Sequence, residues 1–367
     1  MTALTIDALV FYAFGMSSLF APLRLRELNF RNRVFVSPMC QYSSTDGLAG
    51  PWHLVHLGSR AVGGAALVIT ESAAVVPEGR ISPHDLGIWS TGHAQALQPI
   101  AKFVREQGAV AGIQLGHAGR KASTARPWEG GGAVTEEQGG WEPLAPSAVA
   151  YSERYWTPRE LTRSEIAQLP RHFAEAAERS LGVGFQLIEV HAAHGYLLHQ
   201  FLSPLSNLRR DEYGGDFEGR IKLPLEVIRA VRDAVPRELP VFVRISATDW
   251  APSGWDLAQS IAFAKRLQAA GVDLVDCSSG GLVPSQQITV GPGYQVPFAD
   301  AIRREAKIPT GAVGLITEAA QAEAIIERGQ ADAVLLARAF LRDPYWTKHA
   351  AIELGATSAW PVQYGRA

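Results

Sequence analysis

The sequence predicts an α/β protein built as a single (β/α)8 TIM barrel, and three observations carry that prediction. Eight short apolar segments, at 33–38, 66–72, 110–117, 185–191, 241–246, 274–278, 309–314 and 333–338, recur along 367 residues. Continuous hydrophobic runs of this length suit strands of a parallel sheet, whose two faces are both covered. Between them, apolar residues fall at helical spacing, as in Ile261-Ala262-Phe263-Ala264-Lys265-Arg266-Leu267 and again over 319–326. No G-x-G-x-x-G follows the first strand, so the competing open dinucleotide-binding sheet lacks its signature. No low-complexity linker divides the chain, and barrels of this kind run well past the usual domain size as one unit.

Composition agrees with a large core and narrows the partners. Hydrophobic residues make up 47% and charged residues 19%, with a formal net charge of −2. No long basic run is present, which argues against nucleic acid. The two cysteines, Cys40 and Cys277, form no C-x-x-C pair. That excludes a structural zinc or a four-cysteine cluster within one chain, and so few cysteines suit a reducing cytoplasm. Residues 1–17 read as an N-terminal extension ahead of a barrel over 18–367. The apolar run at 8–14 follows Asp7, has no preceding Lys or Arg, and is too short to cross a bilayer, while Met16 offers a second start.

Barrel sites lie at the C-terminal ends of the strands, so each end was read in order. The first strand leads through Ser37 into Pro38-Met39-Cys40-Gln41-Tyr42, and the second ends in Glu71-Ser72. The third gives Gln114-Leu115-Gly116-His117, followed by Arg120 and Lys121. Residues 118–156 are Gly- and Trp-rich and irregular, an excursion expected to cap the barrel mouth. The fourth strand contributes Glu189 and His191, with His194 and Tyr196 just beyond, and the fifth contributes Arg244. Cys277, in the sixth, reads as a core residue. The seventh ends in Val313-Gly314 and the eighth in Ala337-Arg338. Converging, these residues make a cationic, hydrogen-bonding pocket for an anionic or carbonyl-bearing guest. If one helical turn follows the fourth strand, His191 and His194 share a side. Such a pair can also be two satisfied core histidines, or two metal ligands with Glu189 as a third in a metal-dependent barrel hydrolase or lyase.

P-M-C-Q-Y (38–42), G-I-Q-L-G-H-A-G-R-K-A (112–122), E-V-H-A-A-H-G-Y-L-L-H-Q-F-L-S-P (189–204) and R-R-D-E-Y-G-G (209–215) resemble the old yellow enzyme family. So do F-V-R-I-S-A (242–247), P-G-Y-Q-V (292–296), G-A-V-G-L-I-T (311–317) and A-R-A-F-L-R-D-P (337–344). Cys40 within P-M-C, the H-A-G-R-K segment and the terminal P-V-Q-Y-G-R (361–366) are similar to its thermophilic-like bacterial subclass. The resemblance runs from about residue 18 to the end.

It implies an FMN-dependent, NAD(P)H-driven ene-reductase working by a ping-pong cycle on small activated alkenes, with no nucleic acid or membrane partner. The flavin would lie across the barrel mouth. Ser37, Pro38, Met39, Cys40, Ser72, Gln114, His191 and Arg244 would surround its ring, with Val313, Gly314, Ala337 and Arg338 at its phosphate. Arg244 would face the pyrimidine edge, where reduction places negative charge. Cys40 would lie near N5. His191 and His194 would bind the substrate oxygen, Tyr196 would give a proton to Cα, and Tyr42 and Lys121 would line the substrate side. Arg366 would reach a neighbouring subunit's site in a homodimer or homotetramer. Two positions depart from the family pattern: Ser72 stands where Ala is common, and Gly219 where Asn is frequent.

Overall fold

The computed structural model describes residues 17–366, so residues 1–16 of the expected extension lie outside the described residues. The chain opens with an antiparallel hairpin, β1 (Leu23–Leu25) and β2 (Leu28–Phe30). Then come β3 (Val34–Val36), β4 (Leu67–Ala74) and β5 (Val110–Gly116). Two short strands of the excursion, β6 (Leu144–Ala145) and β7 (Arg159–Glu160), pair with each other in parallel. The barrel resumes with β8 (Leu187–Ala192), β9 (Val241–Ser246), β10 (Leu274–Ser278), β11 (Thr310–Ala312) and β12 (Ala333–Leu336). β3, β4, β5, β8, β9, β10, β11 and β12 close in that order, all parallel, with β12 returning to β3. This is the predicted (β/α)8 barrel.

Two apolar cores follow from the alternation of side chains along each strand. Phe35, Leu67, Leu187, Phe242, Leu274 and Leu335 fill the barrel's inner floor, and Phe30 of the hairpin covers it from below at 5.0 Å from Phe35. A second core lies between the strands and the outer helices. Helix Phe217–Ala234, for example, buries Leu223, Val227, Ile228 and Val231 on one face, each contributing roughly 1.5–3 kcal/mol. The Asp216 carboxylate caps it by accepting the Gly219 amide at 2.9 Å, worth about 1 kcal/mol. The expected helices over 261–267 and 319–326 lie within Leu257–Ala269 and Ala319–Glu327.

The strand ends differ from expectation where the site is built. β3, β11 and β12 stop short, which leaves Ser37, Pro38, Gly314, Ala337 and Arg338 on the connections above the barrel. Each has a local reason. Pro38 has no amide to extend the ladder, Gly314 takes φ +121° outside the strand region, and Arg338 opens helix Arg338–Arg342. β4 instead runs on to Ala74 through a bulge, with Thr70 and Glu71 opposite Ile113 alone.

Candidate active site

The histidine segment reaches its shape by a route other than the expected helical turn. His191, one residue before the end of β8, is in register with Arg244 of β9, and the chain then turns through left-handed His194 (φ +58°) and Gly195 (φ +74°). A Cβ on Gly195 would lie 2.2 Å from the Gly281 carbonyl oxygen, so only glycine fits that turn. Three bonds hold it. The His194 amide donates to Ser246 Oγ at 2.9 Å, the Gly195 amide donates to His199 Nδ1 at 2.9 Å, and His199 Nε2 meets Asp249 Oδ1 at 2.8 Å. The result still places the two imidazoles together, 5.1 Å apart between centroids and nearly perpendicular.

Their protons follow from their partners. Nδ1 of His191 accepts the Ala193 amide at 3.2 Å, so its ring proton sits on Nε2, 3.3 Å from His194 Nδ1. Nε2 of His194 lies 2.8 Å from Ser278 Oγ. Burial, then the Arg244 charge, holds both rings well below the ordinary histidine range, so both are neutral at physiological pH. Tyr196 stands edge-on to His191 at 4.9 Å between centroids, and burial pushes its phenol well up.

On the other wall, burial and then the Asp85 and Glu71 charges push the Cys40 thiol well up, so it is a thiol rather than a thiolate. Glu71 accepts the Gln41 amide at 3.0 Å and lies 3.1 Å from His53 Nε2, which pins the segment carrying Cys40. Tyr42, at φ +52°, meets the excursion's Trp128 edge-on at 5.7 Å. Lys121 has a more specific place than the substrate wall. Its ammonium donates to the carbonyls of His194 and Gly281, each at 2.9 Å, and stacks over Tyr151 at 4.5 Å. Burial and then Arg120 lower it to about 8. Arg120 is buried, and its guanidinium ties the excursion to the barrel through the Val149 and Leu282 carbonyls.

At the floor of the mouth, Gln114 donates to Glu189 Oε1 at 2.8 Å, and Arg244 Nε lies 3.0 Å from Asp276 Oδ2. Beyond β11 and β12, Tyr294, Gln295, Val313, Gly314, Ala337 and Arg338 help line a cavity of about 200 Å³. Several features fit a flat, phosphate-bearing cofactor. The buried Ser37 hydroxyl has no partner, a Cβ on Gly314 would fill the cradle 2.8 Å from Gln295 Nε2, and Arg338 supplies cationic donors. Met39 packs half-buried against the core, and Ser72 pairs in register with Gln114.

Two residues singled out in the sequence lie apart from the histidine pair. Arg366, expected to serve a neighbouring copy's site rather than this one, is exposed, in a tail anchored by Trp360 stacked on Tyr345 at 6.0 Å. Glu189 turns to Gln114 rather than to the histidines, and among the described residues no three His, Cys, Asp or Glu side chains are grouped as metal ligands. Among the same residues, no helix is long and apolar enough to cross a membrane. Sequence reasoning missed Ser246, Asp276 and Ser278. Ser246 and Ser278 end β9 and β10, so the same strand-end rule that singles out His191 and Arg338 applies to them. Asp276 needed the register that sets it beside Arg244.

Residues 18–356 match the family described as NADH:flavin oxidoreductase / NADH oxidase. The chain is 49% identical over 350 residues to the NADPH dehydrogenase of Geobacillus sp. (strain WCH70), covering 95% of this chain and 98% of that protein. The solved old yellow enzyme homologue from Zymomonas mobilis superposes with a TM-score of 0.76 at 25% identity, covering 94% of this chain and 99% of that one. A 2-naphthoyl-CoA reductase complex superposes with a TM-score of 0.83 at 25% identity over 92% of this chain, which spans about half (52%) of that longer one.

Proposed function

Because the chain belongs to the NADH:flavin oxidoreductase / NADH oxidase family, whose cofactor is FMN and whose electron donor is a reduced nicotinamide nucleotide, we propose that it reduces the activated carbon–carbon double bond of α,β-unsaturated carbonyl and nitro compounds. The observation that carries this reading is the trio of His191, His194 and Tyr196: two neutral imidazoles side by side and a buried phenol edge-on to one of them. When bound, FMN would supply the hydride-transfer chemistry that links the reduced nicotinamide nucleotide to the alkene Cβ.

The residues supply the rest. His191 Nε2–H donates to the carbonyl or nitro oxygen. His194 joins it once the guest's oxygen displaces the His191 Nε2–His194 Nδ1 contact: its neutral ring then carries the proton on Nδ1, with Nε2 accepting from the Ser278 hydroxyl. Two neutral donors stabilise the charge that develops on that oxygen without holding a charge in the ground state. Tyr196, kept protonated by burial, gives its proton to Cα. The same pair of donors serves the carboxamide of the nicotinamide nucleotide, so one site takes its two guests in turn. Arg244 and Gln114 hold the pyrimidine edge of the cofactor, and Ser37, Pro38, Met39, Cys40 and Ser72 its ring. Backbone amides around Val313, Gly314 and Ala337, with Arg338, hold its phosphate. Lys121 positions the histidine loop while facing the pocket with Tyr42. Arg366 completes a neighbouring copy's pocket in a dimer or a tetramer of dimers, so Arg366→Ala is expected to weaken substrate affinity.

The test is an absorption spectrum of the purified protein, followed anaerobically by NADPH and then 2-cyclohexenone. Flavin absorbance that bleaches with NADPH and returns with the enone supports the reading. A colourless protein that cannot be reconstituted with FMN overturns it.

A further inference from the structure

The chemistry above uses Arg244 but gives no work to the two carboxyl groups beside it. Glu189 and Asp276 are fully buried inside the barrel. Asp276 sits in register with Arg244 on the neighbouring strand, its Oδ2 3.0 Å from Nε as an ion pair, yet neither Oδ1 nor Oδ2 has a hydrogen-bond partner. Glu189 spends Oε1 on Gln114, and its Oε2 has none. Buried oxygens left unpaired are costly when charged and much less so when one carries a proton.

Two acids face one guanidinium, so with both ionised the cluster is net negative where water does not reach. The other titratable groups facing Arg244 do not offset this. His191 from β8 and His194 from the turn are neutral, and the Lys121 ammonium of the excursion is held by two carbonyls. Burial raises both carboxyls and Arg244 lowers both, while the Asp276 charge raises Glu189 further. The two therefore titrate as one coupled pair sharing a proton. Negative charge arriving beside Arg244 competes with Asp276 for the guanidinium and favours a second proton.

Resting on the FMN reading, we propose that the Glu189–Asp276 pair takes up one proton from solvent each time the cofactor beside Arg244 gains two electrons. The balance is explicit. Hydride from NADPH brings two electrons and one proton together, adds one negative charge and draws nothing from water. The further proton forms a carboxyl O–H bond, cancels that charge inside the barrel, and returns to solvent when the hydride leaves for substrate.

The experiment uses the FMN-loaded enzyme, reduced anaerobically with one equivalent of NADPH in weakly buffered solution containing a pH indicator. The expected result is one proton removed per flavin reduced. The reduced-minus-oxidised infrared difference spectrum should gain a protonated-carboxyl C=O band and lose a carboxylate band. In the double variant Glu189→Gln with Asp276→Asn, each flavin reduced should remove no proton, and the carboxyl band should vanish. Three results overturn the proposal: no uptake by the wild type, uptake without the carboxyl band, or uptake undiminished in the double variant. Should the double variant not fold, the wild-type infrared spectrum decides alone. Failure to bind FMN, or to bleach with NADPH, overturns the functional reading instead, whereas bleaching without uptake overturns only the carboxylate pair's role.

Discussion

Replacing Tyr196 by Phe removes one oxygen and keeps the ring that packs edge-on to His191 at 4.9 Å, so the histidine loop should hold its shape. What disappears is the proton for Cα. A positioned general acid contributes typically 10²–10⁴-fold, or roughly 3–5 kcal/mol at about 1.4 kcal/mol per decade. The two half-reactions separate this effect. Stopped-flow reduction by NADPH needs no proton at Cα and should stay within about twofold of wild type, an allowance set against that tenfold-per-1.4 kcal/mol scale. Reoxidation by 2-cyclohexenone should slow by about 10²–10⁴. The wild-type pH profile adds a second check. Burial pushes the Tyr196 phenol well above its ordinary value and holds both histidines well below theirs. Neither the acid nor the two donors therefore changes protonation from about pH 6.5 to 10, the ordinary values of the two groups. The reoxidation rate should show no limb from them in that window. Equal reoxidation rates in wild type and Tyr196→Phe, or a wild-type limb that Tyr196→Phe abolishes within the window, would refute the assignment.

Gly195→Ala should cost on the order of 3 kcal/mol and distort the histidine loop, because φ is +74° and the new Cβ would meet the Gly281 carbonyl oxygen at 2.2 Å; urea unfolding measures it, and a change below about 1 kcal/mol would contradict the packing argument. Asp249→Ala leaves His199 Nε2 buried without its acceptor at 2.8 Å and strips Ser203 Oγ and the Trp255 amide of theirs. It should destabilise by roughly 3–5 kcal/mol, read from the denaturant midpoint. Because burial, then Asp85 and Glu71, raise the Cys40 thiol, iodoacetamide at pH 8 should label it at least about tenfold more slowly than a free thiol. Labelling at the free-thiol rate would show that the thiolate is accessible.

Eight apolar runs alternating with helical segments made the barrel legible, because parallel strands covered on both faces are nearly continuous in hydrophobicity. The chemistry-bearing residues at the strand ends were legible for the related reason that a barrel gathers those ends on one face. Local geometry was not. The bulge that sets Thr70 and Glu71 opposite Ile113 leaves no mark in hydrophobic period. The left-handed path through His194 and Gly195 looks in sequence like any His-Gly pair. Lys121 reads as a free cation until its two carbonyl partners arrive from residues 73 and 160 positions away.

Sequence by itself determined which side chains are present and which end of the barrel they occupy, since both follow from composition and strand period. Only the tertiary structure decided what each one is. Burial makes His191 and His194 neutral and keeps Tyr196 and Cys40 protonated. Register alone sets Asp276 against Arg244. Protonation and pairing depend on desolvation and on neighbours brought from distant strands, quantities that no stretch of sequence contains.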